Sequence, residues 1–192
     1  MHLSFRDGGA EVYGVSSHHV VKELYGRGRV FGVAFQPGAF RPFLGRSVSS
    51  ITDRSVLAAD IFGWLPENAD VAAVEGVLRA NLPEPDRNAE FAQLAVERII
   101  DDPAVTRVDA LASGLGTSVR SLQRLFAKHV GVGPKWVIRR YRLHEVTERM
   151  ASGAQIAWAA LAADLGYADQ AHFVRDFRAM VGESPAQYWQ RY

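Results

Sequence analysis

Residues 111–135 read LASGLGTSVRSLQRLFAKHVGVGPK, and residues 161–186 read LAADLGYADQAHFVRDFRAMVGESPA. The two stretches align at an offset of fifty and, after one extra residue in the turn, at fifty-one. The aligned pairs are Leu111 with Leu161, Ala112 with Ala162, Gly116 with Gly166, Ser118 with Asp169, Leu122 with Phe173, Arg124 with Arg175, Phe126 with Phe177, Val130 with Val181, Gly131 with Gly182 and Pro134 with Pro185. Because glycines, prolines, capping residues and apolar positions recur together, the pattern indicates an internal repeat.

Each copy of the repeat predicts a helix, a tight turn and a second helix. Gly116 and Gly166 suit a left-handed backbone at the end of the first helix. Ser118 and Asp169 have side chains that cap a new helix by accepting a backbone N–H. Apolar residues then recur at helical spacing up to the later glycines of the repeat, Gly131 and Gly182. This is a helix-turn-helix, whose second helix can lie in a DNA major groove.

Length and composition leave room for one sizeable domain or two small ones. The chain has 192 residues, of which 48% are hydrophobic and none is cysteine. A chain of this composition has no disulfide, no thiolate nucleophile and no cysteine-based zinc site. No apolar run is long enough to span a bilayer, and no basic-then-apolar signal opens the chain. We therefore expect no membrane association and a cytoplasmic location.

Basic charge is concentrated in residues 107–150. That segment has nine Lys or Arg residues and three acidic ones, a balance of +6, whereas residues 1–106 have a balance of −4 and residues 151–192 of −1. A solvated surface is the commoner meaning of a charge run. Coincidence with a repeated groove-binding motif favours DNA instead.

The fold class predicted is mainly α, with a small α+β domain over residues 1–85 and an all-α double helix-turn-helix domain over residues 86–192. Residues 30–35 are rich in β-branched and aromatic side chains and predict a strand. The other elements predicted in the first hundred residues are a turn at 36–38, a short helix at 39–44, a helix at 57–64, an amphipathic helix from Pro66 to Leu82 and a helix at 88–100. Proline-rich residues 83–86 are the best boundary.

One long helix is predicted between the two copies. The first unit spans about 107–131, the linker helix about 134–150 and the second unit about 157–182. Pro134 suits a helix start, and at about 1.5 Å per residue the linker would be a rod of roughly 25 Å. Such a rod would hold the two units roughly one DNA turn apart. A last helix begins near Pro185, and Tyr188 can pack back on the second unit.

This arrangement resembles the C-terminal DNA-binding domain of AraC/XylS-type transcription regulators, in which one long helix joins two helix-turn-helix units. The second unit carries most of the signature: Leu161-Ala162, Gly166-Tyr167, Asp169, Phe173, Arg175, Phe177, Gly182, Ser184-Pro185 and Tyr188. Two positions depart from it, because Ala171 stands where serine is usual and Trp189 where arginine is common. Double-stranded DNA and RNA polymerase are the expected partners.

Residues 30–64 are similar to a sensor-like domain of unknown ligand that precedes this module in some members of the family. Relative to that domain the early strands are missing, so we expect either a truncated chain or a reduced sensor. The resemblance makes a small-molecule effector a candidate partner. It names neither the effector nor the operator, and the oligomer is expected to be a monomer or a homodimer.

The apolar stripe of each recognition helix fixes which side chains face outward. The expected base contacts are Arg120, Ser121, Gln123 and Arg124 on the first helix and Gln170, Ala171, His172 and Arg175 on the second. Arginine can bind guanine bidentately and glutamine can bind adenine in the same way. The expected phosphate contacts, which position the protein without reading sequence, are Thr117, Ser118, Lys128, Lys135, Arg139 and Arg140.

Several of these residues have a structural alternative. Arg175 could pair with Asp164 or another carboxylate, and His172 could be a partly exposed polar residue. Adjacent His18 and His19 would point to opposite faces of a strand and lack a third ligand, so no metal site is predicted. The tryptophans Trp136, Trp158 and Trp189 are expected to pack rather than to stack on bases.

No catalytic constellation and no cofactor site is predicted. Two glycine pairs, at 26–28 and 114–116, lack the strand–turn–helix context of a phosphate loop. The leading hypothesis is therefore a sequence-specific transcription regulator. A second hypothesis is a regulatory module that binds a small molecule or a protein and whose helix-turn-helix units bind DNA weakly or only pack. A third is an N-terminal domain with its own ligand or activity.

Overall fold

The computed structural model describes residues 1–6, 9–21, 23, 26–66, 69–151, 158–167 and 169–191. The chain divides into two compact units. Unit 1 comprises Met1–Ser16, Lys22–Leu94 and Gln123–Val132, and unit 2 comprises Ser17–Val21, Ala95–Leu122 and Gly133–Tyr192. Each unit therefore takes segments from both sides of the predicted boundary at residues 85 and 86, which stays a prediction.

A small antiparallel sheet forms one layer of unit 1. Its strands are β1 (His2–Arg6), β2 (Gly9–Tyr13), β3 (Phe31–Ala34) and β4 (Ser55–Leu57), in the order β3-β1-β2-β4. Leu3 lies opposite both Val12 and Val33. Since side chains alternate across a strand, these residues share the face that packs into the core. The strand predicted at residues 30–35 is confirmed.

Short helices cover the apolar face of this sheet. They are α1 (Arg41–Leu44), a 3-10 helix (Val48–Ile51), α2 (Ala59–Phe62) and α3 (Val71–Ala80). Phe40, which immediately precedes α1, and Phe62 of α2 are buried and pack edge to face, with ring centroids 6.4 Å apart. The core of unit 1 thus joins the sheet to the helices that follow it in sequence.

Two helix predictions in the N-terminal half were wrong in extent. The helix predicted at 57–64 is only α2, because Leu57 pairs in β4 opposite Glu11. The helix predicted from Pro66 begins at Val71, where the Asp70 carboxylate accepts the Ala73 N–H at 2.8 Å and caps α3. The intervening residues 67 and 68 lie outside the described part of the chain.

The C-terminal half is helical, which confirms the mainly α fold class with a small N-terminal α+β part. Its helices are α4 (Arg87–Asp101), α5 (Val108–Gly114), α6 (Val119–His129), α7 (Pro134–Ala151), α8 (Trp158–Asp164), α9 (Gln170–Val181) and α10 (Pro185–Trp189). Among the helices of the described residues, none is long and apolar enough to cross a membrane.

The second core joins α7 to the helices that follow it. Buried Leu143, Val146 and Met150 of α7 pack with Phe173 and Phe177 of α9. Trp158 and Trp189 meet edge to face at 6.5 Å, and Tyr188 packs on Phe177 at 5.8 Å, as the sequence predicted for these aromatic residues. Trp136 packs elsewhere in unit 2, where its Nε1–H donates to the Ser17 carbonyl at 3.1 Å.

Candidate nucleic-acid interface

The turn of the first helix-turn-helix forms as the sequence predicts. Gly116 has a φ of +64°, in the left-handed region that glycine tolerates. The Ser118 hydroxyl then accepts the Ser121 N–H at 3.1 Å and so caps α6. Leu122 and Phe126 of α6 are fully buried, which turns the opposite side of the helix to solvent.

That solvent-facing side of α6 carries the predicted base contacts. Arg120, Gln123 and Arg124 are exposed, and Ser121 is half-buried because its hydroxyl lies against Ser118 at 3.0 Å. Residues four apart in a helix lie one above the other, so Arg120 and Arg124 form one row with exposed Lys128. The row presents three cations along a little more than two turns of helix.

The second helix-turn-helix repeats the same local geometry. Gly166 has a φ of +74°, and the Asp169 carboxylate accepts the His172 N–H at 2.7 Å as the cap of α9. Phe173 and Phe177 are fully buried. The corresponding outward positions Gln170, Ala171 and Arg175 are exposed, and His172 is half-buried.

His172 is held by a polar cluster that the sequence analysis did not foresee. Arg139 of α7 pairs with Asp176 of α9 at 2.8 Å, and its Nη2 lies 3.3 Å from His172 Nε2. A guanidinium has only donors, so His172 Nε2 is the acceptor in this contact. The guanidinium also lies 5.6 Å from the centre of the Tyr167 ring. Arg139 therefore connects α7 to the second recognition helix.

Tyr167 completes this cluster. Its ring packs edge to face on His172 at 5.2 Å and on Phe173 at 5.5 Å. Burial raises the pKa of the Tyr167 hydroxyl, and the neighbouring Asp176 carboxylate raises it further. The residue is therefore a neutral, packed side chain under the N-terminal turn of α9. Its position next to the turn was visible in the sequence, but its partners were not.

The remaining residues predicted to contact phosphate differ in exposure and in the groups that they already bind. Lys128, Lys135, Arg140 and Ser118 are exposed, while Thr117 is half-buried. The Arg140 Nη1 donates weakly to the Met180 carbonyl at 3.4 Å. Arg139 is the exception, because its charge is already balanced by Asp176. A bound phosphate would have to compete with that carboxylate for the same guanidinium.

Two arginines counted in the basic segment 107–150 are engaged elsewhere. Arg107 pairs with Asp109 at 2.6 Å, and this hydrogen-bonded partner lowers the pKa of the Asp109 carboxyl to about 2. Arg142 is 1% exposed and donates to the backbone carbonyls of Ile99 and Asp102 at the end of α4. Both of these arginines are therefore occupied by partners within unit 2.

A sequence signal for the burial of Arg142 existed. Counting in fours along α7 places it in one row with Ile138, Val146 and Met150, all of which are buried. An arginine in an apolar row needs acceptors nearby. The carbonyls of α4 supply them, together with the carboxylate of Glu145.

The alternative partner considered for Arg175 is not used. Arg175 and Asp164 are both exposed, and no ion pair joins them among the described side chains of unit 2. Arg175 occupies the repeat position of Arg124, so both helices place an exposed arginine at the same point of their surface.

Comparison with known proteins is consistent with this geometry. Residues 111–191 match the family described as Helix-turn-helix domain, and residues 1–57 match a family described as Domain of unknown function (DUF6597). None of the curated proteins compared with the chain matches it. Among solved structures it is similar to the C-terminal domain of AraT, a response regulator from Geobacillus stearothermophilus. That similarity has 21% sequence identity and a TM-score of 0.48, over 56% of this chain and 89% of that chain.

The predicted resemblance is confirmed over both halves of the chain. Residues 111–191 include the first helix-turn-helix from Leu111 onward, all of α7 and the second helix-turn-helix. The N-terminal match covers the four strands of the sheet, and its family description leaves the ligand unnamed. Residues 111–191 are thus similar to a helix-turn-helix domain of the AraC type, in agreement with the resemblance drawn from the sequence.

Proposed function

We propose that the protein is a sequence-specific transcription regulator that places α6 and α9 in successive stretches of one DNA major groove. The observation that carries the proposal is the repeated exposure of an arginine, at Arg124 and Arg175, on two helices capped and packed in the same way. The 18 residues of α7 give a connector of about 27 Å. Successive major-groove segments on one face of a duplex are about 34 Å apart, a distance comparable with the length of this connector.

The first helix-turn-helix is proposed to contribute more of the affinity for DNA than the second. Its recognition helix presents Arg120, Arg124 and Lys128 in one exposed row. At the positions equivalent to Arg120 and Lys128, the second recognition helix has Ala171 and Ala179. A guanidinium can donate two hydrogen bonds to the O6 and N7 of guanine, a contact that discriminates by about 1–3 kcal/mol against the wrong base. An alanine contributes at most an apolar contact with a thymine methyl group.

Base and phosphate contacts are proposed as predicted from the sequence, with one qualification from the geometry. Arg120, Gln123 and Arg124 are proposed to read bases, and Lys135 and Arg140 to bind phosphates. Since Arg139 is paired with Asp176, we propose that it mainly holds α9 in place. RNA polymerase contact and an effector bound by the N-terminal domain are further proposals, supported by the family resemblance.

Selection from a random duplex pool tests the sequence-specific part. The protein should retain a defined set of sequences, and its affinity for them should fall steeply with salt as phosphate contacts release counterions. Equal retention of all duplexes would leave a DNA-binding protein without sequence specificity.

Matched charge variants test the assignment of residues. The double variant Arg120→Ala, Arg124→Ala should lose at least tenfold in affinity for a selected duplex, since each bidentate contact is worth about 1–3 kcal/mol. The double variant Arg79→Ala, Arg87→Ala removes the same two charges from exposed positions on α3 and α4 and provides the control. Unchanged affinity in the first variant would favour the second hypothesis, a regulatory module whose helix-turn-helix units only pack.

A further inference from the structure

The repeat contains two kinds of left-handed glycine, and only one kind is crowded. Gly116 and Gly166 lie in the turns, with φ of +64° and +74°, whereas Gly131 and Gly182 end the recognition helices, with φ of +98° and +95°. A Cβ added at Gly116 would meet nothing within 4 Å, and one at Gly166 would make ordinary contact with Thr106 at 3.7 Å. The glycines at the helix ends are approached far more closely.

Residues Ser47 to Thr52 lie against the end of α6. A Cβ at Gly131 would be 2.9 Å from Val48 Cγ1 and 3.1 Å from Thr52 Oγ1. The Thr52 hydroxyl donates to the Gly131 carbonyl at 2.6 Å, and the Ser47 hydroxyl donates to the Ala127 carbonyl at 3.1 Å. All of these residues belong to unit 1.

His19 lies against the end of α9 in the same manner. A Cβ at Gly182 would be 2.6 Å from His19 Cδ2 and 2.9 Å from His19 Cγ. The His19 N–H donates to the Ala179 carbonyl at 2.9 Å. The Trp136 indole, which donates to the Ser17 carbonyl, holds the other end of the short segment from Ser17 to His19 on α7. These residues all belong to unit 2.

The two contacts satisfy the same chemical need. The last four carbonyls of a helix have no donor within the helix. Ala127 is in the last turn of α6 and Ala179 in the last turn of α9, and each of their carbonyls receives a donor from the N-terminal part of the sequence. Because glycine has no side chain, the approaching segment can reach the helix end.

We propose that Gly131 and Gly182 are equivalent docking points, through which residues 47–52 and residues 17–19 couple the N-terminal part of the chain to the two recognition helices. The exposed rows on α6 and α9 remain free, so docking and DNA contact are compatible. Docking orders the end of each recognition helix before DNA arrives, and such preorganisation increases affinity. A change in either segment is thereby transmitted to the helix that it holds. The effect on DNA affinity rests on the proposed function, whereas the docking itself does not.

Engineered cysteine pairs test the docking in the full-length chain, which has no cysteine of its own. The pairs are Val48→Cys with Gly131→Cys and His19→Cys with Gly182→Cys, since in each case the new Cβ lies 2.9 Å from the atom that the partner sulfur would replace. Mild oxidation followed by mass spectrometry should show a disulfide in each matched pair. The crossed pair Val48→Cys with Gly182→Cys is the control. Absence of the matched disulfides, or equal formation in the crossed pair, would overturn the docking.

Variants that keep both glycines test the coupling. Thr52→Val and Ser47→Ala each remove one donor to the end of α6. Each should speed hydrogen exchange at residues 127–131 and weaken binding to a selected duplex by about threefold to tenfold. Ser50→Ala, at an exposed position of the same 3-10 helix, should change neither. Unchanged exchange and affinity in both variants would overturn the coupling.

Oxidation of the variant Val48→Cys with Gly131→Cys tests whether docking strengthens or weakens DNA binding. The oxidised form, in which the disulfide locks the docking, should bind the duplex at least as tightly as the reduced form of the same variant. Weaker binding on oxidation would mean that docking opposes DNA, and the proposal would be wrong. If the wild-type chain retained no duplex at all, the proposed function would fail, while cross-linking and exchange would still decide the docking.

Discussion

Arg142 lies where the backbone of α4 ends, and its buried guanidinium donates to the Ile99 carbonyl, one of the last four carbonyls of the helix. Removing Arg142 would take this donor from the Ile99 carbonyl, whereas the Asp102 carbonyl would keep the Val105 N–H at 3.0 Å. Arg142→Met should therefore lower the free energy of unfolding by about 2–4 kcal/mol. Chemical denaturation measures this. Arg87→Met, at an exposed position at the start of α4, should cost under about 0.5 kcal/mol.

His129 is a second buried polar residue, at the end of α6. It is 2% exposed, and its Nδ1 lies 3.9 Å from an Asp86 oxygen that Arg41 also binds, at 2.9 Å. Burial lowers the pKa of His129, and Asp86 only partly opposes this. Burial would raise the pKa of Asp86, but the Asn88 N–H, His129 and Arg41 together lower it.

The lowered pKa of His129 predicts loss of stability in mild acid. The neutral imidazole is favoured in the folded state, so its contribution is complete above the ordinary value of 6.5 and is lost as pH falls below that value toward the folded pKa. Melting temperatures across this window should fall with pH, and His129→Gln should flatten the slope. His2 also has a lowered pKa and contributes to the same slope, so His144→Gln, at an exposed position of α7, is the control. The lowered pKa of Asp86 affects stability only at more acidic pH, below the ordinary carboxyl pKa of 3.8.

At the scale of helices, the features predictable from the sequence were those that neighbouring residues determine, such as turns and helix caps. Gly116, Ser118 and Asp169 act at the positions that the repeat assigned to them, because turn and cap geometry depend on neighbouring residues. The strands β1, β2 and β4 were missed. Each has three to five residues, and each is specified by pairing with distant segments rather than by its own pattern. The exposed face of α6 was likewise predictable, but the contact of Thr52 with the end of this helix was not.

The cap of α9 gives a test at this scale. Asp169→Ala removes the acceptor of the His172 N–H and should destabilise the second helix-turn-helix by about 1 kcal/mol. Asp169→Ser keeps an acceptor and should recover most of that loss. Asp164→Ala removes the same charge from an exposed position at the end of α8 and serves as control. Equal loss from both alanine variants would show that charge, rather than capping, matters here.

The connection between α7 and α9 can be measured by a double-mutant cycle. Arg139 and Asp176 are a quarter and a fifth exposed, so solvent screens the pair only in part. Combining Arg139→Gln with Asp176→Asn should give a coupling of about 0.5–1.5 kcal/mol in unfolding experiments. If Arg139 instead serves phosphate, Asp176→Asn should tighten DNA binding rather than weaken it.

At the scale of the whole molecule, base and phosphate contacts should separate in their response to salt. Lys135→Ala should weaken binding to all duplexes alike and reduce the slope of log affinity against log salt by about one. Gln123→Ala should leave the slope unchanged and relax the preference at one base pair. Both side chains are exposed, so neither change should alter the fold. Salt titrations on selected and random duplexes distinguish the two effects.

Unit 1 contains residues 123–132, so the latter part of α6 packs within a core built mainly from the first half of the chain. A shortened protein that begins at residue 86 would keep both arginine-bearing helices but would lack Ser47, Val48 and Thr52. The contacts of Val48 and Thr52 with Gly131, and of Ser47 with the Ala127 carbonyl, would then be lost from the end of α6. Expressed alone, such a fragment should aggregate more readily than the intact chain, and poor solubility would limit its use before any loss of sequence preference could be measured.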